Sequence, residues 1–124
     1  MKKLLLDTNF FIDLYRFKVG LERLDEILEE QFECFILSSS IEELKKIARE
    51  KGKAGKFARL VLEIIKNKKV KVIEVEGKST DEAFLSLADK NTIIATNDSK
   101  LRKKLKEMGV KTIYLRGRKR LEVG

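Results

Sequence analysis

Thr92-Ile-Ile-Ala-Thr-Asn-Asp-Ser-Lys-Leu-Arg-Lys-Lys-Leu-Lys-Glu-Met-Gly-Val-Lys-Thr-Ile-Tyr-Leu115 reads as one complete strand–helix–strand unit. Thr92–Ala95 is a short apolar run with the character of a buried strand. Leu101, Leu105 and Met108 then fall on one face of a helix, which Gly109 ends. Residues 110–115 return to β-branched and aromatic types and form the next strand. Two strands separated by a single helix run parallel, because a crossover of this length carries the chain back to the same edge.

The same alternation extends back to the N-terminus. Lys2–Leu6 is an apolar run, followed by the helix-like cluster Phe10, Phe11, Ile12, Leu14 and Phe17. Leu21, Leu24, Ile27 and Leu28 share a helical face, and residues 33–37 form a second buried run that Ser38, Ser39 and Ser40 end. Ile41, Leu44, Ile47 and Ala48 mark a helix opened by Ser40, with Glu43 three residues on in capping-box position. Residues 51–55, Lys-Gly-Lys-Ala-Gly, read as a flexible basic link before a helix carrying Phe57, Leu60, Val61, Ile64 and Ile65. Residues 70–75 are β-branched and predict a strand, and residues 77–80 turn into a helix carrying Ala83, Phe84, Leu87 and Ala88. No repeat or linker divides the chain. The expectation is one domain over residues 1–124, an α/β/α sandwich with a mostly parallel central sheet, closed by a basic tail at 116–124. In such folds ligands collect beyond the carboxyl ends of the strands.

Composition narrows the chemistry. The chain has no histidine, which removes Ser-His-Asp and Cys-His catalysis and an imidazole proton shuttle. The single cysteine, Cys34, excludes an internal disulfide and Cys-rich metal sites, and among Phe32, Phe35, Ile36 and Leu37 it reads as a small hydrophobe. No apolar run approaches the roughly 18 residues of a membrane span. Asp7 interrupts the N-terminal apolar run too early for a signal peptide, so a cytoplasmic location with no membrane partner is expected.

Net charge is +8, and it is unevenly placed: residues 98–124 hold ten basic and three acidic groups. Arg116, Arg118, Lys119 and Arg120 are the densest part of this basic end and are candidate contacts for RNA, against the plainer reading of a solvated terminus. A Lys/Glu-rich surface of the heat-adapted kind explains the 39% charged residues, but not their concentration at one end.

Only six aspartates occur, and three of them stand at strand-to-helix junctions. Asp7 follows the first strand directly, Asp98 lies just past Thr92–Ala95, and Asp81 opens a helix; Glu43 sits at the start of the helix after the second strand. Each has a structural alternative: Glu43 completes a capping box, Asp98 caps a helix, and Asp81 suits a first helical turn. Asp7 has no obvious cationic neighbour in sequence, and a carboxylate abutting Leu4, Leu5 and Leu6 is costly unless partnered. Four carboxylates converging on one crevice repel one another unless a cation holds them. Oxygen-only ligands favour Mg²⁺ or Mn²⁺, which activate water and stabilise charge on a phosphate under attack.

These residues also carry a resemblance. Leu4-Leu-Leu-Asp-Thr-Asn9, Ser40-Ile-Glu-Glu-Leu44, Thr80-Asp-Glu-Ala83 and Ala95-Thr-Asn-Asp98 resemble, in order, the four acidic motifs of PIN-domain nucleases. The closing part of the chain is most similar to the archaeal branch related to the rRNA-processing nuclease Fcf1. The resemblance implies a PIN-like fold, often dimeric, and a Mg²⁺- or Mn²⁺-dependent endoribonuclease. It makes Asp7, Glu43, Asp81 and Asp98 the metal-binding and catalytic acids, and Thr8, Asn9 and Thr96 the groups that orient them. The third motif departs from the family: it reads Asp81-Glu82 where two aspartates often stand, and in the second motif Glu42 competes with Glu43.

Rivals remain at this stage. Within the enzymes, a toxin with an antitoxin partner stands beside a processing factor bound to pre-ribosomal particles; outside them stands a non-catalytic RNA-binding or assembly factor. Gly77-Lys-Ser79 resembles the end of a phosphate-binding loop, but the glycine such a loop needs five residues earlier is Val72. An aspartyl phosphatase starting at Asp7 would want a second acid where Asn9 stands.

Overall fold

The computed structural model describes residues 1–117 and 119–124, the side chains of Lys68 and Lys69 excepted. Among the described residues six strands are found, β1 (Lys2–Leu6), β2 (Phe32–Leu37), β3 (Lys71–Ile73), β4 (Thr92–Ala95), β5 (Lys111–Arg116) and β6 (Arg120–Val123). Among the same residues six α-helices connect the first five of them: α1 (Thr8–Arg16), α2 (Glu22–Ile27), α3 (Ser38–Ala48), α4 (Lys53–Ile64), α5 (Thr80–Leu87) and α6 (Ser99–Glu107). A π-helical turn, Ile65–Lys69, continues α4.

The strands form one sheet in the order β3-β2-β1-β4-β5-β6. All pairings are parallel except the last, in which Ile113 faces Val123 and Arg116 faces Arg120 across an antiparallel hairpin. The strand after β1 is laid on one side of it and β4 on the other, so the order reverses between β1 and β4, where an open α/β sheet leaves a crevice.

Alternation along the central strands divides the core in two. Leu4, Leu6, Ile93 and Ala95 pack on one face with Phe10, Phe11 and Leu14 of α1, Leu44 of α3 and Ala58 and Val61 of α4. Leu5 and Ile94 point to the other face, against Ala83 and Phe84 of α5 and Leu101 and Leu105 of α6. The result is the expected three-layer α/β/α arrangement. Burying a Leu, Ile or Phe contributes about 1.5–3 kcal/mol each, so the hydrophobic term is spread over both faces. No helix among the described residues is long and apolar enough to cross a membrane.

Several local expectations are corrected. The helix after β2 begins at Ser38, with Leu37 in extended backbone as its N-cap and no side chain capping it. Ser40 is therefore inside the helix and buried, and the capping box with Glu43 does not form. The supposed link at 51–55 is shorter, because α4 starts at Lys53 and Gly55 is buried within it. Met108 caps α6 and is exposed rather than part of its apolar stripe. Phe10 and Phe11 are fully buried in the core, and Phe17 is half-buried. The stretch read as a basic tail contains β6, so most of it is hairpin.

Gly55 shows why the α3–α4 corner needs a residue without a side chain. A Cβ there would lie 1.9 Å from the Glu50 carbonyl oxygen. Gly55→Ala is expected to cost about 1–3 kcal/mol and lower the melting temperature by several degrees. An unchanged melting curve would mean that the corner closes in some other way.

Candidate active site

Asp7 is fixed by the first residues after β1. It is the N-cap of α1, and one carboxylate oxygen, Oδ1, accepts the Thr8 backbone N–H at 2.8 Å. The other, Oδ2, accepts the Thr96 hydroxyl at 2.7 Å. Thr96 directly follows β4, its own N–H donating to the Ile113 carbonyl, and it is fully buried. The same hydroxyl accepts the Asp98 N–H at 3.1 Å. One buried threonine thus ties together the two strand ends that flank the switch point.

Asp98 is the N-cap of α6, with Oδ1 accepting from the N–H groups of Lys100 (2.9 Å) and Leu101 (3.2 Å). The capping reading of this residue is correct, and it leaves Oδ2 for other work. Asp81 lies in the first turn of α5, whose N-cap Ser79 accepts the Glu82 N–H. Glu43 projects from α3. These four acids, with Asn9, Thr80 and Asn97, line a cleft of about 360 Å³ at the carboxyl ends of β1, β2 and β4.

The motif ambiguities resolve geometrically. Glu42 pairs with Lys45 at 3.6 Å and lines a separate groove, so Glu43 is the acid of α3 that reaches the cleft. Glu82 is exposed and does not line it. Of the three orienting candidates, Thr96 holds Asp7 through its hydroxyl, Asn9 lines the cleft, and Thr8 acts through its backbone. The Thr8 hydroxyl itself is buried with no hydrogen-bond partner among the described residues.

Sequence reasoning missed Asn97. Its amide donates to Asp13 Oδ2 at 3.0 Å, and its carbonyl oxygen accepts the Leu115 N–H at 2.8 Å. The side chain bridges α1 to β5 and fixes the loop that carries Asp98. Its place between Thr96 and Asp98 was visible, but the partners lie 84 and 18 residues away.

Among the described residues, the lining set contains four carboxylates and neither lysine nor arginine. Burial pushes Asp7 above the ordinary carboxylate range, the Thr96 and Thr8 hydrogen bonds oppose that, and repulsion from Glu43 and Asp81 adds to it. Such a cleft is chemically suited to a hard cation held by oxygen ligands. Among the described residues no three of these acids already stand as a closed coordination shell. Elsewhere the nucleophile count is short: burial pushes the Cys34 thiol up to about 12, and it stays protonated.

The expected RNA contacts at the basic end follow Leu115, whose N–H donates to the cleft-lining Asn97. Arg116 is exposed and pairs with Glu122 at 3.4 Å, while Lys119 and Arg120 are exposed around the β5–β6 hairpin. Arg118, expected with them, lies outside the described residues.

Comparison with known proteins places the chain in a family. The chain is 33% identical to Ribonuclease VapC4 of Methanocaldococcus jannaschii, over 99% of this chain and 97% of that protein. It is 31% identical to Ribonuclease VapC9 of Archaeoglobus fulgidus, over 95% of this chain and 86% of that one. Its fold superposes on the solved PIN domain endonuclease Utp24 with a TM-score of 0.76 at 21% identity, covering 98% of this chain and 90% of that one. The family model described as a PIN like domain matches residues 4–118, and the chain therefore belongs to the PIN-like domain family.

Proposed function

We propose that this chain is a metal-dependent endoribonuclease whose working groups are Asp7, Glu43, Asp81 and Asp98. The observation that carries the reading is the cleft itself: four carboxylates from four separate elements line it, with no cation among the described lining residues. The similarity to two ribonucleases over nearly the full chain supports RNA as the substrate.

Asp7, Glu43, Asp81 and Asp98 would hold Mg²⁺ or Mn²⁺. When bound, such an ion supplies Lewis acidity at a phosphate oxygen and makes water a nucleophile near neutral pH. The protein's own part is positional. Thr96 and the Thr8 N–H fix both oxygens of Asp7, so its orientation is set before any ligand arrives. The α6 N-terminus holds one oxygen of Asp98, which itself lines the cleft. Asn97 anchors the loop between them, and Asn9 and Thr80 offer neutral polar groups to a sugar or phosphate.

The reading is tested by incubating the purified chain with end-labelled RNA of mixed sequence, in Mn²⁺ and in EDTA. Internal cleavage that requires the ion is expected; cleavage of equal rate in EDTA would remove the ion from the mechanism. Thr96→Val is expected to reduce cleavage about 10–100-fold, while Thr96→Ser retains most of it. Loss in both variants alike would make the methyl packing, not the hydroxyl, the important feature. Recovery of the chain with a small antitoxin would assign it to a toxin–antitoxin pair, and recovery with pre-ribosomal particles to rRNA processing. Sedimentation tests the expected homodimer directly.

A further inference from the structure

A second cleft, of about 380 Å³, lies where the end of α1 meets the start of α4, lined by Arg16, Phe17, Lys18, Lys53, Lys56 and Phe57. It contains four cations and no acid, and none of the four forms an ion pair among the described residues. The two phenylalanines are partly exposed, with the Arg16 guanidinium 5.4 Å from the Phe17 ring centre and the Lys56 ammonium 5.8 Å from that of Phe57.

Three local choices here work against the stability of the isolated fold. Lys18 ends α1 in the left-handed region, at φ +59°, where glycine is the cheaper residue. Lys53 and Lys56 stand in the first turn of α4, beside the positive end of the helix dipole, with no acid there to balance them. That N-terminus also has no side-chain cap. Like charges gathered on an uncapped helix start are favourable only toward an anion.

α1 links this cleft to the acidic one. Asp7 caps its beginning and Arg16 ends it, nine residues that span about 14 Å. That is within the reach of a few nucleotides of extended single strand.

We propose that Arg16, Lys18, Lys53 and Lys56, with Phe57, form a second contact for single-stranded RNA, gripping phosphates and stacking an unpaired base at the other end of α1 from the acid cleft. The identification of the strand as RNA rests on the ribonuclease reading. Polyanion contact with interleaved aromatics is the pattern by which proteins hold single strands without sequence preference. Among the described residues, none of the C-terminal basic groups lines this cleft.

The test uses a fluorescein-labelled 20-nucleotide oligouridylate in EDTA, so that binding is read by anisotropy without cleavage, at several salt concentrations. The double variant Lys53→Ala/Lys56→Ala is expected to bind about tenfold more weakly and to show a salt slope reduced by about 1.4. Phe57→Leu is expected to weaken binding several-fold with an unchanged slope, since it removes stacking and no charge. Melting curves check that each variant folds, and Mn²⁺-dependent hydrolysis of bis(p-nitrophenyl) phosphate, too small to reach this cleft, should be unaltered. Unchanged affinity and slope in the double variant overturn this contact, and persisting Mn²⁺-dependent RNA cleavage then leaves the nuclease reading intact. Loss of binding in the variants, with no RNA cleavage by the wild type, keeps the contact and overturns the nuclease. A wild type that does not bind the oligonucleotide overturns the contact as well.

Discussion

The Asp7→Asn variant is expected to lose RNA cleavage by at least about a thousandfold while folding as the wild type does. Asp7 is the acid most constrained by the fold, with Thr8 and Thr96 each holding one of its oxygens. Asparagine keeps the shape and the acceptor facing the Thr8 N–H, but it removes the charge that a divalent ion would need. A loss of this size corresponds to about 4 kcal/mol of transition-state stabilisation, the scale expected of a group acting directly on the reacting centre. Wild-type rates in Asp7→Asn, with Mn²⁺ and a mixed RNA substrate, would take Asp7 out of the mechanism.

The same substitution should separate catalysis from stability. Burial raises the Asp7 carboxyl above its ordinary value, with Glu43 and Asp81 contributing in the same direction. A group whose folded-state pKa is raised favours folding below its unfolded pKa and loses that contribution as pH rises through the folded one. The ion-free protein therefore carries the cost of an ionised Asp7 at neutral pH, and relieving it in Asp7→Asn should leave the variant at least as stable as the wild type there. The advantage should vanish in acid, where Asp7 is protonated in both states.

Divalent ions should reverse this order. Binding to the native state alone, at a hundred times the dissociation constant, adds about 2.7 kcal/mol, which for a domain of this size is on the order of 10 °C in melting temperature. Saturating Mn²⁺ is expected to raise the wild-type melting temperature by that amount and to leave Asp7→Asn nearly unmoved. Equal shifts in the two proteins would place the ion elsewhere, and no shift in either would leave the acid cleft without a cation.

Much of this was legible in the chain. The βαβ reading of residues 92–115 is correct, because an apolar run, a helical stripe and a glycine stop fall in unbroken succession. Asp7, Asp81 and Asp98 were found because strand ends in an α/β fold are where ligands collect, and the structure lines one cleft with all three. Glu43 was harder. Its apparent capping partner Ser40 made it look structural, yet Leu37 adopts extended backbone one position before Ser38, and the helix starts early enough to bury Ser40. A capping signal read from spacing alone cannot see where the strand stops.

Other features depend on contacts that spacing does not encode. Asn97 acts through Asp13 and Leu115, brought together only when α1, β4 and β5 are packed. The hairpin strand β6 was hidden by its charges, since Arg120 and Glu122 alternate with Leu121 and Val123 in a stretch that reads as a basic tail. Charge counting also misplaced part of the positive potential. Arg16, Lys18, Lys53 and Lys56 belong to a half of the sequence that is nearly neutral overall, and folding alone gathers them into one cleft.

A crystal of the chain grown with Mn²⁺ tests the central claim most directly, because the anomalous scattering of manganese locates the ion independently of any enzyme assay. The expected result is a peak enclosed by carboxylate oxygens of Asp7, Glu43, Asp81 and Asp98. Manganese bound only at other positions, with these four side chains left pointing apart, would contradict it.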